Sequence, residues 1–161
     1  MQQQASSPYQ QFRTLNIIYT ALPVMVTLFA TAVLVVNYMR PMTGEHADLL
    51  LLYAPPVLLI IALPVSTFLF NKVVGSAKQQ NVPLNKKLAA YQTGIIIKAA
   101  ILEAPALLAC VVTFITGKIV ILGVVPLVLF VFFIHRPTLY RLESDLELSR
   151  DDLEKLKSGI S

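Results

Sequence analysis

The sequence is poor in charged residues and contains a single cysteine and two histidines. Charged residues make up 14% of the chain, against about a quarter in soluble domains, which excludes an ordinary soluble fold. The lone cysteine, Cys110, excludes an internal disulfide and a cysteine-based metal site. The chain also lacks a phosphate loop, a nucleophile elbow and a metalloprotease motif. Because so few residues can serve acid–base chemistry, we predict a non-enzymatic protein that binds no cofactor.

One short acidic segment has the residue types of a metal site. Glu45, His46 and Asp48 lie close together in a connection, but no second group of ligands elsewhere in the sequence completes a four-coordinate site. We therefore predict that the protein has no metal site.

Apolar residues, in contrast, fill 56% of the chain and are concentrated in four long runs. A helix that crosses the hydrocarbon layer needs about 20 such residues, and uninterrupted runs without two-residue alternation favour helices over barrel strands. The sequence therefore predicts an all-α fold, a four-helix transmembrane bundle over residues 1–136 with an amphipathic tail over 137–161. The predicted spans cover about residues 15–39, 49–71, 94–116 and 119–135.

The lysine and arginine residues predict the orientation of these spans. Ten of the thirteen basic residues fall in the N-terminal arm, the connection between spans two and three, and the tail. Because positive residues in short loops mark the cytoplasmic side, we expect both termini in the cytoplasm and the chain in the inner (cytoplasmic) membrane. The net charge of +4 then indicates the lipid bilayer as a partner and not nucleic acid.

The tail has its own pattern, with leucine and isoleucine at intervals of three and four residues. This spacing is typical of an amphipathic helix or a short coiled-coil seam. Ser149 followed by Asp152 resembles a helix N-cap and predicts a break into two short helices. From Pro137 onward the tail has four basic and six acidic residues. Because a net acidic tail should bind an anionic bilayer only weakly, we expect it to pack on the protein's own cytoplasmic loops or on a partner. A solvated helix is the alternative.

Glu103 is the most informative residue, because it lies near the middle of the third span. A charge there costs at least about 2.5–3.5 kcal/mol, so the carboxyl should be protonated or paired with a buried partner. The residues on the same helical face are small, and small residues allow helices to approach closely in membranes. We therefore expect Glu103 to point into a helix–helix contact. The small residues of this face are Ala99, Ala106, Cys110, Thr113 and Gly117.

Lys98, Thr20 and Thr27 are the candidate neighbours of Glu103. Lys98 precedes Glu103 by five residues, about 140° around a helix, so we expect its long side chain to reach the headgroups; an ion pair with Glu103 is the alternative. Thr20 and Thr27 belong to a polar face of span one. We expect that face to pack against the small residues of span three, with one of the two threonines near Glu103. The contact would be purely structural, or Glu103 would bind and release a proton or cation.

The segment Ile101–Leu108 resembles the ion-binding helix of the proteolipid c-subunits of rotary ATPases, since it places a glutamate in mid-membrane before an apolar run. Four spans in a chain of this length are similar to the duplicated vacuolar-type proteolipid. The resemblance implies an ion-binding carboxyl at Glu103. It does not extend to a rotor function, because span one lacks the glycines with which that family packs its helices and because Glu103 lies on the first helix of its hairpin.

Two hypotheses follow from the sequence. The first is a non-enzymatic inner-membrane protein that acts as a small subunit or scaffold of a larger membrane complex, with other subunits or further copies of itself as partners. The second is a component of a proton- or cation-coupled transporter or channel that uses Glu103.

Overall fold

The computed structural model describes residues 8–40, 49–78, 82–148 and 152–154, and the regular structure within them is entirely helical. Three long helices are followed by a hairpin turn, two shorter segments and a terminal helix. They are α1 (Pro8–Met39), α2 (Leu49–Gly75), α3 (Leu84–Thr116), a 3-10 helix (Ile119–Gly123), α4 (Val124–Ile134) and α5 (Leu139–Leu146).

Three of these helices, α1, α2 and α3, are long and apolar enough to cross a membrane, and a fourth crossing is added if the bent pair Ile119–Ile134 and Leu139–Leu146 is counted as one span. Two helices extend beyond the predicted spans. α1 begins at Pro8 instead of residue 15, and α3 begins at Leu84 instead of residue 94. The backbone hydrogen bonds continue through polar residues, so an apolar run marks only the inner part of such a helix. With 33 residues, α3 is about 50 Å long, well beyond the hydrocarbon thickness of about 30 Å.

The fourth predicted span differs from a single helix. It begins as a 3-10 helix, and α4 proper has only 11 residues. Pro126 occupies the first turn of α4, where its missing N–H removes no helical hydrogen bond, which explains why the regular helix starts close to this residue. Together the two segments span about 26 Å.

The core forms around α3, which contacts α1, α2 and α4. The Tyr19 hydroxyl donates to the Phe132 carbonyl at 2.9 Å and so joins α1 to α4. At the far end, the Asn37 side-chain amide donates to the Thr113 carbonyl at 3.5 Å. The side chains that α1 buries recur at intervals of three, four or seven residues, which keeps them on one face of the helix; they are Phe12, Leu15, Tyr19, Val26, Ala30, Val33 and Asn37.

Gly94 determines how closely α2 approaches α3. A Cβ atom at this position would lie 3.0 Å from Cγ2 of Val74 and 3.1 Å from Cδ2 of Phe70. Because these distances are shorter than ordinary carbon contacts, the absence of a side chain allows Phe70 and Val74 to pack directly on the α3 backbone.

A tight turn at Gly117 joins α3 to the segment that follows. Gly117 has φ 70° and ψ −1°, and its N–H donates to the Thr113 carbonyl at 2.8 Å. This left-handed conformation, which glycine adopts readily, ends the helix.

The tail folds back onto the chain. α5 is turned by 73° from the Ile119–Ile134 segment, contacts α2 and α3 and buries Leu142 and Leu146 completely. It ends at Leu146, where Glu147 adopts a left-handed conformation, and residues 152–154 are helical again. Ser149, on which the predicted break depends, lies outside the described residues.

Two ion pairs join the tail to the rest of the chain, one to the connection between α2 and α3 and the other to the first turn of α3. The ammonium of Lys78 lies 3.3 Å from a carboxylate oxygen of Glu147, and that of Lys87 lies 3.3 Å from Asp152. The first pair is exposed, whereas the side chain of Lys87 is only 4% exposed. We call the part of the molecule where α5 meets the α2–α3 connection the tail end.

Candidate functional site

Glu103 lies at the border between the buried and the outer face of α3. Its side chain is partly exposed, while Leu102 and Ala106 are buried and Ala104 and Leu107 are exposed. Within the described ranges the Glu103 carboxyl has neither a hydrogen bond nor an ion pair. The residue that we expected inside a helix–helix contact is therefore at the rim of the buried face, with its side chain partly exposed.

The small residues of the same face are mostly buried. Ala99, Ala106, Cys110 and Thr113 are each at most 1% exposed, and Gly117 occupies the turn at the end of the helix. The hydrogen bond from Asn37 to the Thr113 carbonyl places the C-terminal part of this face against α1. The face therefore serves close packing of α3, and Glu103 is its one residue that reaches outward.

The predicted pairing of Thr20 and Thr27 with this face is wrong. Both threonines are exposed, and their hydroxyls donate to carbonyls of their own helix, Thr20 to Asn16 at 2.8 Å and Thr27 to Pro23 at 2.7 Å. A hydroxyl that bonds to the carbonyl four residues earlier needs no partner on another helix. α1 consequently packs through its aromatic and aliphatic residues, and its threonines face outward.

Lys98 does not pair with Glu103. Its ammonium lies 5.3 Å from the centre of the Phe70 ring, a cation–π arrangement. The separation of five residues turns the two side chains to different sides of α3, as expected from the sequence. Lys98 instead points towards the tail end, where it interacts electrostatically with Asp145 of α5.

A cavity of about 270 Å³ lies at this tail end, between α2, α3, the end of α4, and α5. We refer to it as the tail-end cavity. Its polar lining comes from segments that are far apart in sequence. The ionisable and aromatic residues that line it are Phe70, Tyr91, Lys98, His135, Tyr140, Arg141 and Asp145.

Positive charge exceeds negative charge in this lining. Lys98 and Arg141 are the basic residues, and Asp145 is the one acid, among the described lining residues. Burial raises the pKa of Asp145, and the nearby cations Lys98, Lys78 and Arg141 offset this only in part.

The ring of His135 is oriented by the 3.0 Å contact of its Nδ1 with the Val131 carbonyl. Since a carbonyl only accepts, Nδ1 is the donor there and Nε2 is left available.

Tyr91 adds a polar group without a partner. Its side chain is 1% exposed and its hydroxyl makes no hydrogen bond in the described part of the chain. The ring packs edge-on against Phe70 with centroids 5.9 Å apart, and the hydroxyl interacts electrostatically with Asp145 and Arg141. A buried hydroxyl without an acceptor costs about 1–3 kcal/mol, so its position beside the tail-end cavity indicates that an acceptor belongs there.

Sequence reasoning did not find this cavity. Its one signal was Lys98, an ionisable residue in an apolar run, which we expected simply to reach the headgroups. Glu45, His46 and Asp48 lie outside the described residues, and among those described no three potential ligands come close enough to hold a metal ion.

Comparison of the chain with protein families, with curated proteins and with solved structures finds no match.

Proposed function

We propose that the protein is a non-enzymatic, four-span integral membrane protein that acts as a small subunit or scaffold of a larger membrane assembly. Glu103 carries this proposal. A carboxyl in the middle of an apolar helix, partly exposed and without a partner in the described ranges, is costly in contact with lipid. A neighbouring subunit that covers this side of α3 and supplies a hydrogen-bond donor removes that cost.

The surface around Glu103 supports such a contact. Ala104 and Leu107 are exposed on the same side of α3, so a second helix can approach the backbone near the carboxyl. Small side chains beside a polar group favour association of helices in membranes. The partner is a further copy of this chain or a different subunit, and both fit the proposal.

The assembly is tested by native mass spectrometry of the protein extracted in mild detergent. We expect species heavier than the single chain of 17.8 kDa, and we expect Glu103→Leu to shift them to the single chain, because the polar contact is lost. Ile60→Ala, an exposed apolar residue of α2 that lies outside this surface, is the control and should retain the assembly. A wild-type protein found only as one chain, or a Glu103→Leu variant that assembles like the control, overturns the proposal.

We further propose an orientation with both termini in the cytoplasm and the protein in the inner membrane. The tail is bound through Lys78 of the α2–α3 connection and Lys87 of the first turn of α3, so the basic segments lie together, in agreement with the charge asymmetry of the loops. In a Cys110→Ala background, the thiol of Lys86→Cys should react with an impermeant maleimide only after cell disruption. A cysteine at Lys118 should react in intact cells, and the reverse result contradicts this orientation.

The outward position of Glu103 also favours the second candidate, a proton- or cation-coupled transport component. A carboxyl at a subunit boundary can exchange an ion with its surroundings when a neighbouring subunit moves past it. In that case a hydrophobic carbodiimide modifies Glu103 and the modification declines as the pH rises. Transport into vesicles is lost in Glu103→Gln, although the assembly persists. Transport that is insensitive both to the carbodiimide and to Glu103→Gln contradicts this role.

A further inference from the structure

We propose that the tail-end cavity binds the phosphate group of an anionic phospholipid, with Lys98 and Arg141 as its cationic ligands. This site is separate from Glu103, which points to another side of α3, and it does not depend on the proposed assembly.

The charges of the lining favour an anion. Lys98 from α3 and Arg141 from α5 both line the cavity, and in the part of the chain that the structure describes neither forms an ion pair. Guanidinium and ammonium groups are the usual protein ligands of phosphate oxygens, the first through two parallel hydrogen bonds and the second as a compact charge. Their two charges exceed the single negative charge of Asp145.

The Tyr91 hydroxyl provides an independent observation. It is buried, has no hydrogen-bond partner among the described residues, and belongs to a side chain that lines the same cavity. The lining does contain acceptors, among them the Asp145 carboxylate and Nε2 of His135, but none of them is hydrogen-bonded to this hydroxyl. A phosphate oxygen is an acceptor to which it can donate. An anion in the cavity therefore supplies the acceptor that Tyr91 lacks, as well as the counter-charge of the two cations.

The size and position of the cavity indicate a headgroup. Its volume of about 270 Å³ lies just below the roughly 300–1,000 Å³ of sites for larger organic ligands. It opens at the end of apolar helices, where Tyr140 in its rim is 80% exposed and Phe133 of the adjoining helix end is 77% exposed. Exposed aromatic side chains beside a basic pocket between helices fit a phospholipid, whose acyl chains lie against the helices while its phosphate enters the pocket.

Binding is measured by native mass spectrometry of the full chain in mild detergent, titrated with phosphatidylglycerol and, separately, with inorganic phosphate. We expect phosphatidylglycerol to bind, and Lys98→Gln and Arg141→Gln each to weaken the binding about tenfold or more, as loss of a charge-assisted hydrogen bond implies. Lys86→Gln removes an exposed cation at the same end of the molecule and should change little. Asp145→Asn removes the one acid and should tighten binding.

These variants move binding in opposite directions, so a general loss of folding cannot produce the expected pattern. The temperature at which the buried Cys110 thiol becomes reactive towards a fluorogenic maleimide verifies the fold of each variant. Inorganic phosphate should compete only weakly with the lipid. If phosphate alone binds as tightly as the lipid, the source is a soluble phosphate compound and the lipid proposal is overturned. Equal lipid binding by Lys98→Gln, Arg141→Gln and Lys86→Gln overturns the site altogether.

Discussion

The ammonium of Lys87 lies 3.3 Å from the carboxylate of Asp152, and the side chain of Lys87 is almost completely buried. The pair joins the first turn of α3 to the helical residues 152–154 of the tail. Removing one partner of a buried ion pair leaves an uncompensated charge. The tail is thus held to the α2–α3 connection by electrostatics as well as by the buried residues Leu142 and Leu146.

The first prediction concerns this ion pair. Asp152→Asn should destabilise docking of the tail by about 3–5 kcal/mol, because Lys87 remains buried without a counter-charge. The control, Glu147→Gln, breaks the exposed pair with Lys78 and should cost less than about 1 kcal/mol. Hydrogen exchange of the α5 amides measures both effects. Equal protection of α5 in the two variants contradicts the importance of the buried pair.

The second prediction concerns the turn at Gly117. Gly117→Ala should destabilise the protein by about 1–2 kcal/mol, because an L-residue resists the left-handed conformation with φ 70°. Gly123 has φ −57°, and a Cβ there meets nothing within 4 Å, so Gly123→Ala should be neutral or slightly stabilising. The melting temperature, measured through the exposure of the Cys110 thiol on unfolding, separates the two variants. A Gly117→Ala variant as stable as Gly123→Ala is the contrary result.

The third prediction tests the packing of α3. Ala106→Leu places a large side chain at a position with 0% exposure and should cost about 1–3 kcal/mol through overpacking. Ala104→Leu, two residues earlier on the exposed side, should leave the melting temperature nearly unchanged. A reversal of this order would show that α3 is rotated relative to its neighbours.

The fourth prediction concerns the pH dependence caused by Asp145. Burial raises its pKa in the folded protein, so the stability that this group contributes is complete below the unfolded pKa of about 3.9 and is lost as the pH rises through the folded value. The melting temperature of Asp145→Asn should equal that of the wild type near pH 3.5 and exceed it at pH 7. Glu143→Gln, which changes an exposed carboxyl of the same helix, is the control. A variant less stable than the wild type at pH 7 would show that the cations outweigh burial.

The sequence predicts the helical character of the chain well, because length and apolar content alone decide whether a segment can cross a membrane. It predicts side-chain partners poorly. Thr20 and Thr27 look like interface residues, but each satisfies its hydroxyl within its own helix, and no pattern of spacing distinguishes the two outcomes. Tyr19, in contrast, is unremarkable in the sequence and joins α1 to α4.

The tail-end cavity could not be predicted for a related reason. Lys98 and Arg141 come together only because α5 turns by 73° after α4. Amphipathic spacing correctly indicates that α5 buries one face, but it does not specify the surface against which that face packs. The angle depends on the packing of Leu142 and Leu146 against helices that lie far away in the sequence.

The hydrogen bond from Tyr19 to the Phe132 carbonyl joins residues 113 positions apart, and so connects the first apolar helix with the last. Contacts between residues so far apart in sequence form late in folding, because the long chain between them must first be brought together. A chain that stops before Phe132 lacks the carbonyl that accepts from the Tyr19 hydroxyl.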